Sequence, residues 1–213
     1  MLRSAFASVD TWVFDLDNTL YDPGARLFDR IEDLMNAYIM RELGVDLPAA
    51  HALRRKYWID HGTTLAGLMM HHGVDADHFL DVVHDIELSV LTPAPDLAQA
   101  IRALPGRKIV YTNGSREHAR RVTQARGLTG VFDALYGVED AGYVPKPHRK
   151  AFDTVFSDAQ VAGPTAAMFE DDHRNLEVPH ALGMRTVLVG EDATHAHVHH
   201  VTSNLQDFLS RLV

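Results

Sequence analysis

The sequence predicts an α/β protein: a doubly wound, mainly parallel sheet interrupted near its start by an all-helical insertion. Three observations carry that reading. An apolar run at Trp12, Val13 and Phe14 breaks into carboxylates, residues 22–92 show helical but no strand periodicity, and from Thr92 onward short apolar strands alternate with helices. Residues 1–21 and 93–213 are therefore expected to form one core, with 22–92 as a smaller helical domain inserted into it.

Trp12, Val13 and Phe14 are aromatic or β-branched and too few for a helix, so they read as a buried strand whose carboxyl end presents Asp15 and Asp17. Asp22-Pro23-Gly24 is turn chemistry. Beyond it Ile31, Leu34, Met35, Tyr38 and Ile39 recur at helical spacing. Pro48 lies near the start of a second helix carrying Leu53, Tyr57 and Trp58, and Gly62, Gly67 and Gly73 punctuate further short helices. After Thr92-Pro93-Ala94-Pro95 the expected order is helix 97–104, strand 108–112, helix 117–126, strand 135–138 and a helix after Pro147. Strand 166–169, helix 175–182, strand 186–189, a last short strand at 197–201 and helix 205–212 complete the chain. Pro179 falls inside one of these helices, where it must kink the backbone or mark a first turn. Right-handed crossovers then bring the strand carboxyl ends to one edge, where ligands bind in such sheets.

With 213 residues the chain can bury a substantial core. The absence of cysteine excludes disulfides, thiolate catalysis and any cysteine-ligated metal. A formal charge of −9 disfavours a surface for nucleic-acid polymers, although a small phosphate can still bind where a metal and a few basic residues converge. No apolar run approaches the roughly 20 residues of a membrane helix, and the amino terminus lacks the layout of a secretory signal, so no membrane partner and a cytoplasmic address are expected. Oligomeric state is not legible.

Four stretches carry candidate chemistry. Strand alternation sends Asp15 and Asp17 to one side, and two like charges that close need a cation or a shared proton. Thr112-Asn113-Gly114, at the end of an apolar strand, offers a hydroxyl, an amide and backbone N–H groups as a phosphate cradle; Thr112, Asn113 and Ser115 are equally suited to capping the next helix. Lys146 stands between Pro145 and Pro147, which stiffen its backbone, though a solvated loop lysine fits the same string. Glu170-Asp171-Asp172 ends another strand with hard oxygen ligands suited to Mg²⁺, or simply starts a helix. His195, His197, His199 and His200 alternate as zinc ligands on a strand would, but a partly solvated edge is the reading adopted.

The order strand-Asp-x-Asp-x-Thr, strand-Thr-Asn, Lys-Pro, strand-acid cluster resembles that of the haloacid dehalogenase (HAD) superfamily, most of whose members are magnesium-dependent phosphatases with a Rossmann-like core. More narrowly, Phe14-Asp15-Leu16-Asp17-Asn18-Thr19-Leu20-Tyr21, His61-Gly62-Thr63-Thr64-Leu65-Ala66-Gly67-Leu68, Lys146-Pro147-His148 with Ala151-Phe152, and Leu182-Gly183-Met184-Arg185-Thr186 are similar to the pyrimidine 5′-nucleotidase branch. The resemblance implies a helical cap of subclass I and a small phosphomonoester substrate: a nucleotide first, a sugar phosphate or vitamin-like phosphate as the alternative. It implies Asp15 as nucleophile, Asp17 as general acid and base, and Thr112, Asn113 and Lys146 as phosphoryl ligands. It further implies Mg²⁺ held by Asp15, the main-chain carbonyl of Asp17, and Asp171. Relatives carry two aspartates where this chain has Glu170 then Asp171, so Glu170 is assigned a supporting place behind the metal. Tyr21, Arg26, Phe28, Tyr57, Trp58, His61 and Thr64 are candidate base or ribose contacts, with core packing as the competing account of each aromatic. A catalytically silent HAD-fold binding protein, or a phospho-accepting signalling receiver, is the alternative of another class.

Overall fold

The computed structural model describes residues 2–191 and 195–213. A six-stranded sheet runs β3-β2-β1-β4-β5-β6, with every pairing parallel. Its strands are β1 (Thr11–Phe14), β2 (Arg107–Tyr111), β3 (Ala134–Tyr136), β4 (Ala166–Glu170), β5 (Arg185–Val189) and β6 (His200–Thr202). The order turns back at β1, so β1 lies at the centre and the chain winds outward on both sides.

Residue parity divides the two faces. Trp12, Phe14, Val110, Phe169 and Val187 pack into one apolar cluster, while Val13, Ile109, Tyr111, Met168 and Leu188 pack into the other. Both sides are dry, which is why these strands read as continuous apolar runs. The second face is closed by α8 (Arg149–Asp158) through Ala151, Phe152, Val155 and Phe156. The first is closed by α6 (Pro95–Ala103), α7 (Arg116–Ala125) and α10 (Leu205–Ser210). A short α1 (Leu2–Ala5), unforeseen from the sequence, sets Phe6 against Trp12 and Phe208. Trp12 satisfies its indole N–H by donating to Pro105 O at 2.7 Å.

Between β1 and α6 the chain forms four helices: α2 (Leu27–Leu43), α3 (Leu47–His61), α4 (Thr64–His72) and α5 (Ala76–Val83). Aspartate or threonine side chains cap three of them, Asp46 on Ala49 N, Thr63 on Ala66 N and Asp75 on His78 N. Arg121 of α7 and Arg126, the residue that caps it, tie both ends of this segment to that helix. Arg121 donates to His84 O and Ile86 O at 2.7 Å each, and Arg126 donates to Leu20 O at 3.1 Å and to Thr92 O. These carbonyls flank the points where the chain leaves and rejoins the core.

Element boundaries differ from the sequence expectation mainly where proline intervenes. The helix expected at 175–182 is a 3₁₀ turn, His173–Leu176, followed by α9 (Glu177–Ala181). Pro179 sits in the first turn of α9, where its missing N–H removes no helical hydrogen bond. The strand expected at 197–201 begins only at His200, after a turn.

Candidate active site

Strand register assembles the site. Phe14 is level with Val110 and Phe169, so the next residues, Asp15, Tyr111 and Glu170, emerge side by side at the carboxyl edge. Asp15 N donates to Phe169 O at 2.9 Å, extending the ladder by one residue and aiming its carboxylate beyond the sheet. Lys146 arrives from the loop before α8, 1 % exposed, which rules out a solvated loop lysine. Its ammonium donates to Asp15 Oδ1 at 2.8 Å, Glu170 Oε2 at 2.6 Å and Tyr111 O at 3.0 Å. Three donors meet three acceptors, so a phosphoryl oxygen reaching this ammonium must displace one of them.

Asn113 holds that loop in place. Its Oδ1 accepts from Lys146 N at 2.8 Å and its Nδ2 donates to Lys146 O at 3.1 Å. The side-chain amide expected on a phosphate is therefore committed to the backbone of the buried lysine. Thr112 Oγ1 accepts from Gly114 N at 2.9 Å, which leaves its hydroxyl proton as a donor. The helix-capping role that competed for Thr112 and Asn113 belongs to Ser115, which accepts from His118 N at 3.1 Å.

Asp15, Glu170 and Asp171 offer carboxylate oxygens that all lie within 4.8 Å of one another. Asn18, in the left-handed region at φ 58°, donates its amide to Asp171 Oδ2 at 3.4 Å. Burial first, then the charge of Glu170, pushes Asp15 up to about 8 against the Lys146 ammonium. Burial likewise lifts Glu170 to about 8, with Lys146 opposing and the charge of Asp171 adding. Asp171 rises to about 7, through burial and the charge of Asp15. Lys146 moves the other way: burial opposes its charge, but Asp15 and Glu170 prevail and hold it protonated. One ammonium facing three acids would leave excess negative charge once they ionise, and these hard oxygen donors fit a divalent ion such as Mg²⁺. Glu170 is as close to this set as Asp171, nearer the centre than the supporting place expected of it.

The Asp17 carboxylate has partners of its own. Tyr21 OH and His118 Nε2 both donate to its Oδ1, at 2.9 and 3.0 Å. Burial raises the Asp17 carboxyl, but His118, His84 and Tyr21 outweigh it and keep Asp17 below the usual carboxylate range. His84 stacks on His118 with ring centroids 4.2 Å apart and bonds Ser115 Oγ through Nδ1 at 3.1 Å. Burial drives His84 well below an ordinary histidine. The sequence reading missed both histidines. For His118 the one local signal was its helical spacing from Val122, four residues on, which places both on the buried face of α7.

A cavity of about 740 Å³ opens above these groups, between the sheet edge and the inserted helices. Of the candidate substrate contacts, Phe28, Trp58 and Thr64 line it. Tyr21 serves Asp17, Tyr57 is buried with its hydroxyl on His72 Nε2 at 2.7 Å, Arg26 pairs with Asp29 in solvent, and His61 meets His71 at 3.0 Å between Nε2 atoms. Arg54, which binds Glu32 and donates to Asn36 Oδ1 at 3.2 Å, lines the cavity and was not foreseen. Two contacts close the helical layer onto the core. Arg174 lays its guanidinium over Trp58 at 3.7 Å from the ring centroid, and Gly62, at φ 86°, lies so close to Lys146 O that an added Cβ would approach it to 3.0 Å.

Parallel sheet, central acids and buried lysine together define a hydrolase of the HAD type. The haloacid dehalogenase-like hydrolase family model matches residues 9–183, and the chain belongs to that family. It is similar to phosphate metabolism protein 8 of Saccharomyces cerevisiae, 24 % identical over 82 % of this chain, although the chain spans only 60 % of that relative's length. Among solved structures, CbbY of Rhodobacter sphaeroides in complex with phosphate aligns at TM-score 0.67 and 15 % identity, covering 93 % of this chain and 96 % of that one. The HAD-hydrolase YfnB of Bacillus subtilis bound to magnesium aligns at TM-score 0.62 and 16 % identity, covering 96 % and 98 %. Among the described residues no helix is long and apolar enough to cross a membrane.

Proposed function

We propose that this chain is a magnesium-dependent phosphomonoesterase that works through an aspartyl-phosphate. The observation that carries the reading is the contrast between its two neighbouring acids. Asp15 is locked to Lys146 beside Glu170 and Asp171, whereas the Asp17 carboxylate is held by His118 and Tyr21. Asp15 attacks the phosphorus in line, forming a P–O bond to its carboxylate as the bond to the leaving alkoxide breaks. Asp17, which must enter the first step protonated although His118 and Tyr21 favour its carboxylate, gives that alkoxide its proton, then takes one from the water that releases phosphate and restores Asp15. The Thr112 hydroxyl holds a phosphoryl oxygen, and Lys146 keeps Asp15 and Glu170 aligned and partly neutralised. Mg²⁺, held by Asp15, Asp171, the carbonyl of Asp17 and, by its proximity, Glu170, supplies charge stabilisation to the transferring group. A dehalogenase needs no second acid, so the placement of Asp17 favours phosphate chemistry.

The substrate we favour is a small nucleotide, as in the pyrimidine 5′-nucleotidase branch, with residues 22–92 acting as a specificity cap. The cavity has the size of a small-ligand site, and Phe28 offers flat apolar surface beside the polar groups of Glu32 and Arg54. The name of the yeast relative, phosphate metabolism protein 8, agrees with a phosphate-releasing reaction. The test is a phosphate-release screen over nucleotides, sugar phosphates and vitamin-like phosphates, with and without Mg²⁺, run beside Asp15→Asn. Turnover that needs Mg²⁺ and vanishes in Asp15→Asn is expected; full activity in that variant would remove Asp15 as nucleophile, and no turnover at all would favour a binding protein.

A further inference from the structure

Outside the acidic centre, three histidines from two separate segments converge. His173 opens the 3₁₀ turn that follows the acid cluster, and His195 and His197 belong to the connection from β5 to β6. Each offers one ring nitrogen, and these three nitrogens lie within 4.8 Å of one another. The alternation of 195, 197, 199 and 200 does not extend to a shared face. His199 turns back to Thr186, its Nδ1 2.7 Å from Oγ1, and His200 packs against Phe6 and Phe208. The sequence could not show that the third member of the group is His173.

We propose that His173, His195 and His197 form a second metal site, for a borderline divalent ion of the zinc class, distinct from the oxygen-lined centre of Asp15, Glu170 and Asp171. Donor chemistry separates the two: carboxylate oxygens suit Mg²⁺, whereas imidazole selects zinc, nickel or cobalt. The hydrogen bonding already prepares the ligands. His197 Nε2 lies 2.9 Å from His173 O, and because a carbonyl can only accept, Nε2 must carry the proton, leaving the lone pair on Nδ1. A backbone carbonyl orienting the far nitrogen of a ring is how metal-binding histidines are usually fixed. On His173 itself, Nδ1 is buried and meets no hydrogen-bond partner among the described residues. Such a group has a reason to remain if an ion is its partner.

The rings lie nearly parallel, His173 and His195 stacked with centroids 3.6 Å apart, and His197 lies 5.7 Å from His173. Coordination therefore requires at least one ring to turn out of the stack, a rotation about the soft bond to the imidazole. Three protein nitrogens leave the fourth tetrahedral position to water. The ion would tie the β5–β6 connection to the loop carrying Asp171, at the rim of the cavity that His173 lines. This proposal does not depend on the phosphatase reading.

The experiment uses the full chain without an affinity tag, saturated with Mg²⁺ so that the oxygen-lined centre is filled, and titrated calorimetrically with Zn²⁺. One equivalent is expected, retained in Asp15→Asn and His71→Asn and lost in His195→Asn and in His197→Asn. Co²⁺ added to the parent chain should give the intense visible bands of a four-coordinate nitrogen-rich site, a readout that needs no variant to fold. Absence of stoichiometric Zn²⁺, retention in both His195→Asn and His197→Asn, or loss in Asp15→Asn or His71→Asn would each overturn the site.

Discussion

At the scale of single residues, the acids around Lys146 make metal binding and pH inseparable. Asp15 and Glu170 rise to about 8 and Asp171 to about 7, so the metal-free chain retains protons there that an unfolded chain would have released. Raised carboxyl values mean that this contribution to stability is complete below the ordinary carboxylate range and is lost as pH climbs through about 8. On the proposed mechanism, Mg²⁺ binding would have to expel those protons. Its affinity should therefore rise with pH up to about 8 and then level off, with proton release visible as a buffer-dependent calorimetric enthalpy. A pH-independent affinity between 6 and 8, roughly the range in which these acids titrate, would contradict the charge balance described. Asp17 follows the opposite rule, being held low. Asp17→Asn should cut kcat by about 10²–10⁴-fold. His118→Ala removes the donor that outweighs burial, so the Asp17 carboxyl rises; because Asp17 must be protonated to release the alkoxide, the alkaline limb of that step's pH–rate profile should move to higher pH. That Asp15, Lys146 and Asp171 meet at one sheet edge could be anticipated because each sits in a short string whose chemistry is local. The place of His118 could not: it meets Asp17 across 101 positions, and nothing in either string names the other.

At the scale of elements, close packing decides more than propensity does. Gly67, within α4, sits against the ring of Tyr57 on α3, and an added Cβ would collide with the Cβ and Cγ of that tyrosine. Alanine favours a helix over glycine by roughly 1 kcal/mol. Overpacking costs about 1–3 kcal/mol, and displacing Tyr57 also breaks its 2.7 Å hydrogen bond to His72. Gly67→Ala should therefore destabilise the chain despite its better helix propensity, lowering the thermal midpoint; a raised midpoint would show that α3 and α4 separate freely. The sequence reading takes Gly67 as a break between short helices, but the structure sets it inside α4, because its missing Cβ admits the Tyr57 ring, a contact between two elements that neither string shows. Pro179 tells the complementary story. Its effect is covalent and local, so a first turn at Pro179 could be anticipated even though the 3₁₀ turn that precedes α9 could not.

At the scale of the whole molecule, the cavity exists because the inserted helices are pressed onto the strand edge, and one contact across that seam can be isolated. Arg174, the second residue of the 3₁₀ turn after the acid cluster and bound to Asp172 by its guanidinium, stacks on Trp58 of α3. Trp58 remains 46 % exposed, so the pairing belongs to the modest class of cation–π contacts, about 0.5–1 kcal/mol. If it holds the helical layer closed over substrate, Trp58→Ala should raise KM by about two- to fivefold with kcat nearly unchanged. Arg174→Ala should do the same, and the double variant should be little worse than either, because both remove one shared interaction. A substrate base stacked on Trp58 predicts otherwise. The tryptophan change would then penalise nucleotides more than sugar phosphates, and the two single effects would add. Comparing the four proteins on one nucleotide and one sugar phosphate separates a clasp from a platform. The clasp is the expected result, because in this structure the face of Trp58 is already covered by the guanidinium.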